Sequence, residues 1–529
     1  MPTYTHRSTV NRRQFLQIAG GAVSLLTLAA CQQVPAAPAS VGETEPASQT
    51  PQAGGTLRIA IADPIAGLDP GIFSSDGELN LAYMMYNTLV QRNEGEDGTP
   101  LRPALAESWE ITPDALTFTF NLRQGVTFHH GLEFTATDVE YSIQRLLDPA
   151  LGTGVAQSLT SLDRVEVIDD YTVQFQMKEA NVSLPFILSG PGFQIVPHDR
   201  SNEELATTPA GTGPFQFVEH LPGERLTLQR FDGYWEENLP YLDGIELLTL
   251  PESATQIAAL TSETVDVLLR VGIENLPTLE SAPNVQVLES LQGVFPLFAM
   301  DVTQPPFDDI RVRQAFKHAV NRAGLQQAIL QGRGTIVNDQ PIMPGGTFYA
   351  DTPPLEYDVE QAKALLAEAG YPDGIEVTLS LAEVTPRISD TAVAIQEMVK
   401  DAGITMNLDV VPMGTYWGER YLQAPFFVSF WNSNSEPDGM LSLAYTSTGP
   451  YNESKWSDPQ VEAFIAQARS ESNVEERATI YAEIQQQISQ NGGVIIPYVT
   501  PILMAANTRV LGLVAQNPIY TQDIWLAAT

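Results

Sequence analysis

Thr208–Phe215, T-P-A-G-T-G-P-F, is the stretch whose reading divides the chain. Two glycines and two prolines in so short a run specify a stiff, sharply directed connection that neither a helix nor a central strand can contain. Upstream, the residues from Leu101 onward read as an inserted unit. Downstream, Leu226–Phe231 and Gly244–Leu250 read as strands of a sheet being resumed. An ordinary rigid turn has the same local composition, and it is the flanking sequence that makes this one a return from one domain to another.

The chain's 529 residues exceed what one hydrophobic core serves, so two or three domains are expected. Its hydrophobic fraction of 43% suits a globular body, and no apolar run reaches the length of a membrane span. The formal net charge of -37 comes from 64 acidic against 27 basic residues, a balance that repels nucleic acid and anionic membrane surfaces. Lysine is confined to Lys178, Lys317, Lys363, Lys400 and Lys455. Cys31 is the single cysteine, so there is no internal disulfide and no multi-cysteine metal site.

The first fifty residues read as an address. Arg12 and Arg13 precede the apolar run Ile18–Ala30, which ends in Leu28-Ala29-Ala30-Cys31. The run is short for a permanent anchor and resembles a bacterial lipoprotein signal, in which the cysteine thiol is lipidated and becomes the first mature residue. Asn11-Arg12-Arg13-Gln14-Phe15-Leu16-Gln17 also resembles a twin-arginine export signal, with Asn11 where Ser or Thr is usual, and the general secretory route stays open. Residues 1–31 are thus expected to be a signal peptide, and residues 32–53, rich in Pro, Ala, Ser, Gln and Glu, a flexible tether. Membrane attachment would come through lipid alone, with the body facing the periplasm or the cell exterior.

The body alternates strands and helices. Thr56–Ala62 reads as its first strand, and Glu78–Val90 as a helix with Leu81, Met84, Met85 and Leu89 on one stripe. Phe118, Phe120 and Leu122 alternate with polar residues, as do those of Tyr171–Met177. Thr137 and Glu140 have capping-box spacing, as do Ser253 and Gln256. Asp308 or Asp309, Asp358 and Asp458 are expected helix caps. Glu376–Leu381, the helix Asp390–Lys400 and Thr405–Val411 form a strand-helix-strand unit of an open α/β domain.

Several pieces match a known family in order and spacing: Pro103–Trp109, Thr135–Val139, Gly211–Phe215, Tyr234-Trp235, Pro306–Ala315 and Gln361–Gly370. From about Gly55 onward the chain resembles the solute-binding proteins of ATP-driven (ABC) importers, in the dipeptide, oligopeptide and nickel class, family 5. The resemblance implies a two-lobed α/β periplasmic-binding-protein fold of type II, a large three-part form with an extra inserted domain. The first lobe would combine residues 54–96, 208–300 and 495–529; residues 97–207 would be the insert packed on it; residues 301–494 would form the second lobe. It further implies a monomer that needs no cofactor, captures a small molecule or peptide between its lobes, and hands it to a membrane permease.

In peptide-binding relatives a carboxylate of the second lobe clamps the peptide amino terminus. The matching stretch here, Phe430–Asp438, puts Ser433 at that position, and a hydroxyl cannot supply the charge. Asp438 or Glu436 is the substitute carboxylate if the loop is registered differently, and Asp438 reads equally as a helix cap or turn residue. The surroundings are aromatic and amide-rich, with Trp417, Phe426, Phe427, Phe430, Trp431, Asn432 and Asn434, which suits a stacked oligosaccharide as well as a peptide. Trp431 and Asn432 head the candidates, while Phe426 and Phe427 read as core. By the same resemblance Phe73, Asn80, Tyr83 and Phe295 are expected at the cleft from the first lobe, and Met413 where relatives often place an aromatic.

His129-His130 has no acidic or cysteine partner at ligand spacing, so no metal site is expected, although a nickel chelate stays open as cargo. No G-x-S-x-G, H-E-x-x-H or G-x-x-x-x-G-K motif occurs, and the expectation is a binding protein rather than an enzyme. The competing class is a secreted, lipid-anchored hydrolase of oligosaccharides or peptides working through scattered carboxylates.

Overall fold

The computed structural model describes residues 50–92, 101–353, 355–433 and 437–527. The export signal, Cys31, nearly all of the tether, Asn434 and Glu436 lie outside them.

Among the described residues one mixed sheet of eleven strands runs through the body, ten on one path and Val494–Ile495 paired beside Val285–Met300. From one edge it passes through Phe215–Leu221, Arg225–Arg230, Gly244–Thr249, Thr56–Ile61, Val267–Leu268 and Thr500–Asn507 to the long strand Val285–Met300. Beyond that strand lie Phe426–Asn432, Ile375–Leu381 and, at the far edge, Ile404–Val410. Thr56–Ile61 pairs in parallel with Gly244–Thr249, and Ile375–Leu381 in parallel with Ile404–Val410. Val285–Met300 pairs Thr500–Asn507 along Val285–Val294, then Phe426–Asn432 along Val294–Met300. A bulge between Ser290 and Gly293 marks the change of neighbour.

On the Phe426–Asn432 side both faces of the sheet are buried. Phe298, Phe426 and Val428 join one core with Val312, Phe316 and Ile395, while Phe295, Leu297 and Phe427 join another with Ile484 and Ile488. This explains why Phe426-Phe427-Val428 reads as an unbroken apolar run. A further core gathers Leu57, Ile59, Met84, Leu226 and Leu247 at the other end of the sheet. A separate four-stranded antiparallel sheet, ordered Ala106–Ile111, Thr117–Leu122, Thr172–Met177, Leu162–Asp169, has its own core of Phe118, Phe120, Val139, Ile143 and Phe175. The fold is a bilobed α/β one of the periplasmic-binding-protein kind.

Asp309, Asp358 and Asp458 each cap a helix, accepting from the N–H of Arg311, Gln361 and Gln460. Other boundaries differ from expectation. The capping pair before Val139 is Thr135 with Asp138, whose carboxylate accepts from the Thr135 N–H at 2.8 Å, so the helix begins earlier than Thr137 predicts. The helix Ser253–Thr261 has Glu252 before it and no side-chain cap. The helix expected over Glu78–Val90 spans only Asp76–Met85, and Val90–Arg92 is a short strand.

The early stop follows from the Thr208–Phe215 stretch, which crosses the end of that helix. The Gly213 N–H donates to the Met85 carbonyl at 2.9 Å, occupying the oxygen that a further helical turn would use. A Cβ on Gly211 would lie 1.9 Å from the Met85 oxygen and one on Gly213 2.4 Å from its carbonyl carbon, so only glycine permits the approach. His129, from the segment after the four-stranded sheet's second strand, closes the crossing from the other side. Its Nε2 donates to the Gly213 carbonyl at 2.9 Å and its Nδ1 accepts from the Gly211 N–H at 3.2 Å, an arrangement only the neutral ring satisfies. Burial lowers its pKa to about 4, against the opposing pull of the Gly213 carbonyl. The stabilisation from the neutral ring is complete above the ordinary imidazole range and is lost as pH falls toward 4. His129 is therefore a structural residue.

Gly213→Ala should lower the unfolding free energy by at least ~3 kcal/mol in urea titration. Gly154→Ala, where an added Cβ meets nothing within 4 Å, should stay within about 0.5 kcal/mol of the parent. Equal effects would refute the close-approach account.

Candidate functional site

At the bulge of the long strand the surface opens into a cavity of about 520 Å³. Segments from along the whole chain meet there. Phe73–Asp76 and Leu79 come from the start of the helix Asp76–Met85, and Arg92 from the short strand that follows it. Gly293 and Val294 come from the bulge, Asn432 and Ser433 from the end of the adjacent strand, and Gln516–Pro518 with Tyr520 from the C-terminal segment.

Each wall has a local cause. Ser75 caps the helix by accepting from the Glu78 N–H, and Glu78 in turn accepts from Ser74, Ala66 and Gly67, folding the loop before the helix onto its first turn. Burial pushes the Glu78 carboxyl up, but these hydrogen bonds outweigh it and hold the group below the ordinary carboxylate range. Asp76 is fully engaged, pairing with Arg270 and accepting from the Asn517 amide at 2.9 Å. Asn80 donates to Asn517 Oδ1 at 2.9 Å and accepts from the Ile519 N–H at 2.8 Å, so it moors the C-terminal segment to the helix. The Ser433 N–H donates to the Gly293 carbonyl and its Oγ accepts from the Gly293 N–H, both at 2.7 Å. That reciprocal pair extends the ladder past Asn432 and fixes the bulge.

The model of the family described as bacterial extracellular solute-binding proteins, family 5 (middle), matches residues 100–452. The chain belongs to this family. It is 30% identical over 500 residues to heme-binding protein A of Haemophilus influenzae, covering 88% of this chain and 90% of that protein. Among solved structures, HbpA2 of Haemophilus parasuis is similar with a TM-score of 0.82 at 27% identity, over 90% of this chain and all of that one. The periplasmic binding protein DppA of Helicobacter pylori, in complex with the peptide STSA, has a TM-score of 0.74 at 26% identity, over 90% of this chain and 99% of that one.

In this family-5 solute-binding protein the cavity brings together Phe73, Asn432 and Ser433 of the residues expected from sequence. Asn80 sits beneath it as described. Tyr83 is buried behind Tyr520, edge-on at 5.9 Å, with its hydroxyl donating to the Ser189 carbonyl. Phe295 is fully buried in core. Met413 and Trp417 are about two-fifths exposed and lie off the cavity, Trp417 packing on Tyr421 at 4.9 Å. Asp438 is buried and paired with Arg469 at 2.7 Å. Arg92, Arg270, Asn517 and Tyr520 line the cavity without having been singled out from sequence.

Trp431 precedes Asn432 and so belongs to the opposite face of the strand. Its indole N–H donates to Glu453 at 3.0 Å, as does the Ser429 hydroxyl, and Tyr421 approaches the same oxygen at 3.4 Å. Burial nevertheless dominates and raises the Glu453 pKa to about 7. Ionised Glu453 is thus a cost to the fold: its favourable share is full below the ordinary carboxylate range and is lost as pH rises through 7.

Glu453→Gln should therefore gain on the parent by up to ~3 kcal/mol between pH 5 and pH 8, read from denaturation midpoints at the two pH values. A constant difference across that range would sink the assignment.

Proposed function

We propose that this protein is the receptor of an ABC importer, capturing a peptide-like or oligosaccharide-like solute between two lobes and delivering it unchanged to a membrane permease. The observation that carries the reading is the placement of the cavity. It lies where the long strand exchanges the Thr500–Asn507 ladder for the Phe426–Asn432 ladder, so Phe73 and Arg92 face it from one part of the sheet system and Asn432 and Ser433 from the other. A solute touching both sides favours closure by the difference of its affinity for the two states. In this reading residues 54–96, 208–300 and 495–529 form the first lobe, 97–207 its insert and 301–494 the second lobe. The peptide in the Helicobacter pylori relative supports a solute of this class.

The protein would be held at the membrane by lipid on Cys31, with residues 32–53 as tether. Cys31→Ser should move it from the membrane fraction to the soluble fraction of the cell, by immunoblot of fractionated cells. Retention in the membrane would remove the lipid anchor from the account.

For the receptor itself, mixtures of short peptides and of oligosaccharides should each be titrated against the protein. A binding mixture should shrink the radius of gyration in solution scattering and be recovered unaltered by mass spectrometry. Asn432→Ala should weaken that binding about tenfold. Cleavage of the added compounds would favour a hydrolase instead.

A further inference from the structure

We propose that the solute bears a free carboxylate, and that Arg92 selects it. This rests on the receptor reading of the cavity and narrows it, from peptide-like or oligosaccharide-like solutes to those with an anionic end.

Other cations of this acidic chain have carboxylate partners. Arg58 pairs with Asp266, Arg145 with Asp69, Lys317 and Arg322 with Asp339, and Arg469 with Asp438. These cations each meet a carboxylate, whereas buried Arg313 is held by the carbonyls of Phe307 and Asn491 and Arg477 lies over the Phe348 ring. At the cavity Asp76 neutralises Arg270, and Asp76 is fully occupied by Arg270 and Asn517. Arg92 differs. Among the described residues its guanidinium makes no ion pair and no hydrogen bond, and its Nε is buried without a partner. Its one contact of note is the Phe186 ring, whose centroid lies 4.5 Å from the guanidinium carbon. An aromatic face supports the guanidinium and takes none of its in-plane donors.

The charged side chains lining the cavity are therefore two cations and one anion, a local excess of one positive charge inside a chain of net charge -37. Closing the cavity over a neutral solute would strip water from Arg92 and leave its charge uncompensated, which opposes closure. A carboxylate meets the forked donors in the plane where they are free, so closure over an anion is favoured. One unpaired charge suits a single carboxylate rather than a polyanion. The opposite end of such a solute would reach Asn432, which is exposed to the cavity and uncharged.

The probe is a peptide mixture from an enzymatic protein digest, used as it is and after methyl esterification of its carboxyl groups, together with a mixture of neutral oligosaccharides. Each is added to the purified protein and to its Arg92→Gln and Arg92→Lys variants, and the melting temperature is followed. The parent should be stabilised by the free peptides and not by the esters. Arg92→Gln should lose the response, with apparent affinity down roughly ten- to a hundredfold, and Arg92→Lys should keep the preference for free acid at reduced affinity. The Lys variant serves the same purpose if the Gln variant folds poorly. Equal stabilisation by acid and ester, or a parent-like response from Arg92→Gln, overturns the assignment. Stabilisation by the neutral oligosaccharides that survives in Arg92→Gln also overturns it while leaving the receptor reading intact. No response to any of the three mixtures overturns both.

Discussion

The backbone contact between Gly211–Gly213 and Met85 is the constraint from which the cavity descends. Two segments approach so closely that a side chain at either glycine would overlap the Met85 carbonyl. The contact ends the helix Asp76–Met85, turns the chain into Val90–Arg92 and thereby brings Arg92 to the cavity mouth. His129, bonded to both glycines, ties the segment that follows Thr117–Leu122 to the same point. Thr212 and Trp235 both donate to the Asn87 side chain, so the residues on each side of the crossing share further anchors. A packing requirement of a few atoms thus sets the position of a charge several residues away.

A second constraint acts at Gly293. Its added Cβ would meet the Thr500 carbonyl oxygen at 1.8 Å, so the bulge brings two strands closer than any other residue would allow. The same bulge presents Gly293 and Val294 to the cavity and is pinned from the far side by Ser433. Ser433 is thus better understood as a brace for the cavity floor than as a replacement for a charged clamp. Asn80 likewise acts through the C-terminal segment it moors.

Much of the fold was legible because its signals are local. Alternation located Thr117–Leu122 and Thr172–Met177, and aspartate before an apolar stripe located the helices at Asp309, Asp358 and Asp458. The glycine and proline content of Thr208–Phe215 identified a special connection, but only the opposing backbone explains why Glu78–Val90 stops being helical at Met85. The site was less legible for the same reason. Phe295 and Asp438 have the composition of binding residues, yet one serves a sheet buried on both faces and the other neutralises Arg469. Arg92 and Arg270 are ordinary arginines in sequence, and which of them has a partner is decided by residues far along the chain. The scarcity of cations was the one available hint, since each arginine of so acidic a chain invites the question of what balances it.

The long strand Val285–Met300 runs unbroken past the cavity, bonded to one set of strands before Val294 and to another after it. Any relative movement of the two ends of the sheet must therefore be carried by torsion of a continuous ribbon rather than by a loose joint. Torsion about such a ribbon preserves the ladders on both sides and concentrates the change of twist at Ser290–Gly293, where the register is already interrupted. Bending within the sheet plane would instead have to break those ladders. The molecule is accordingly built to wring, along one axis, and to resist splaying in the others.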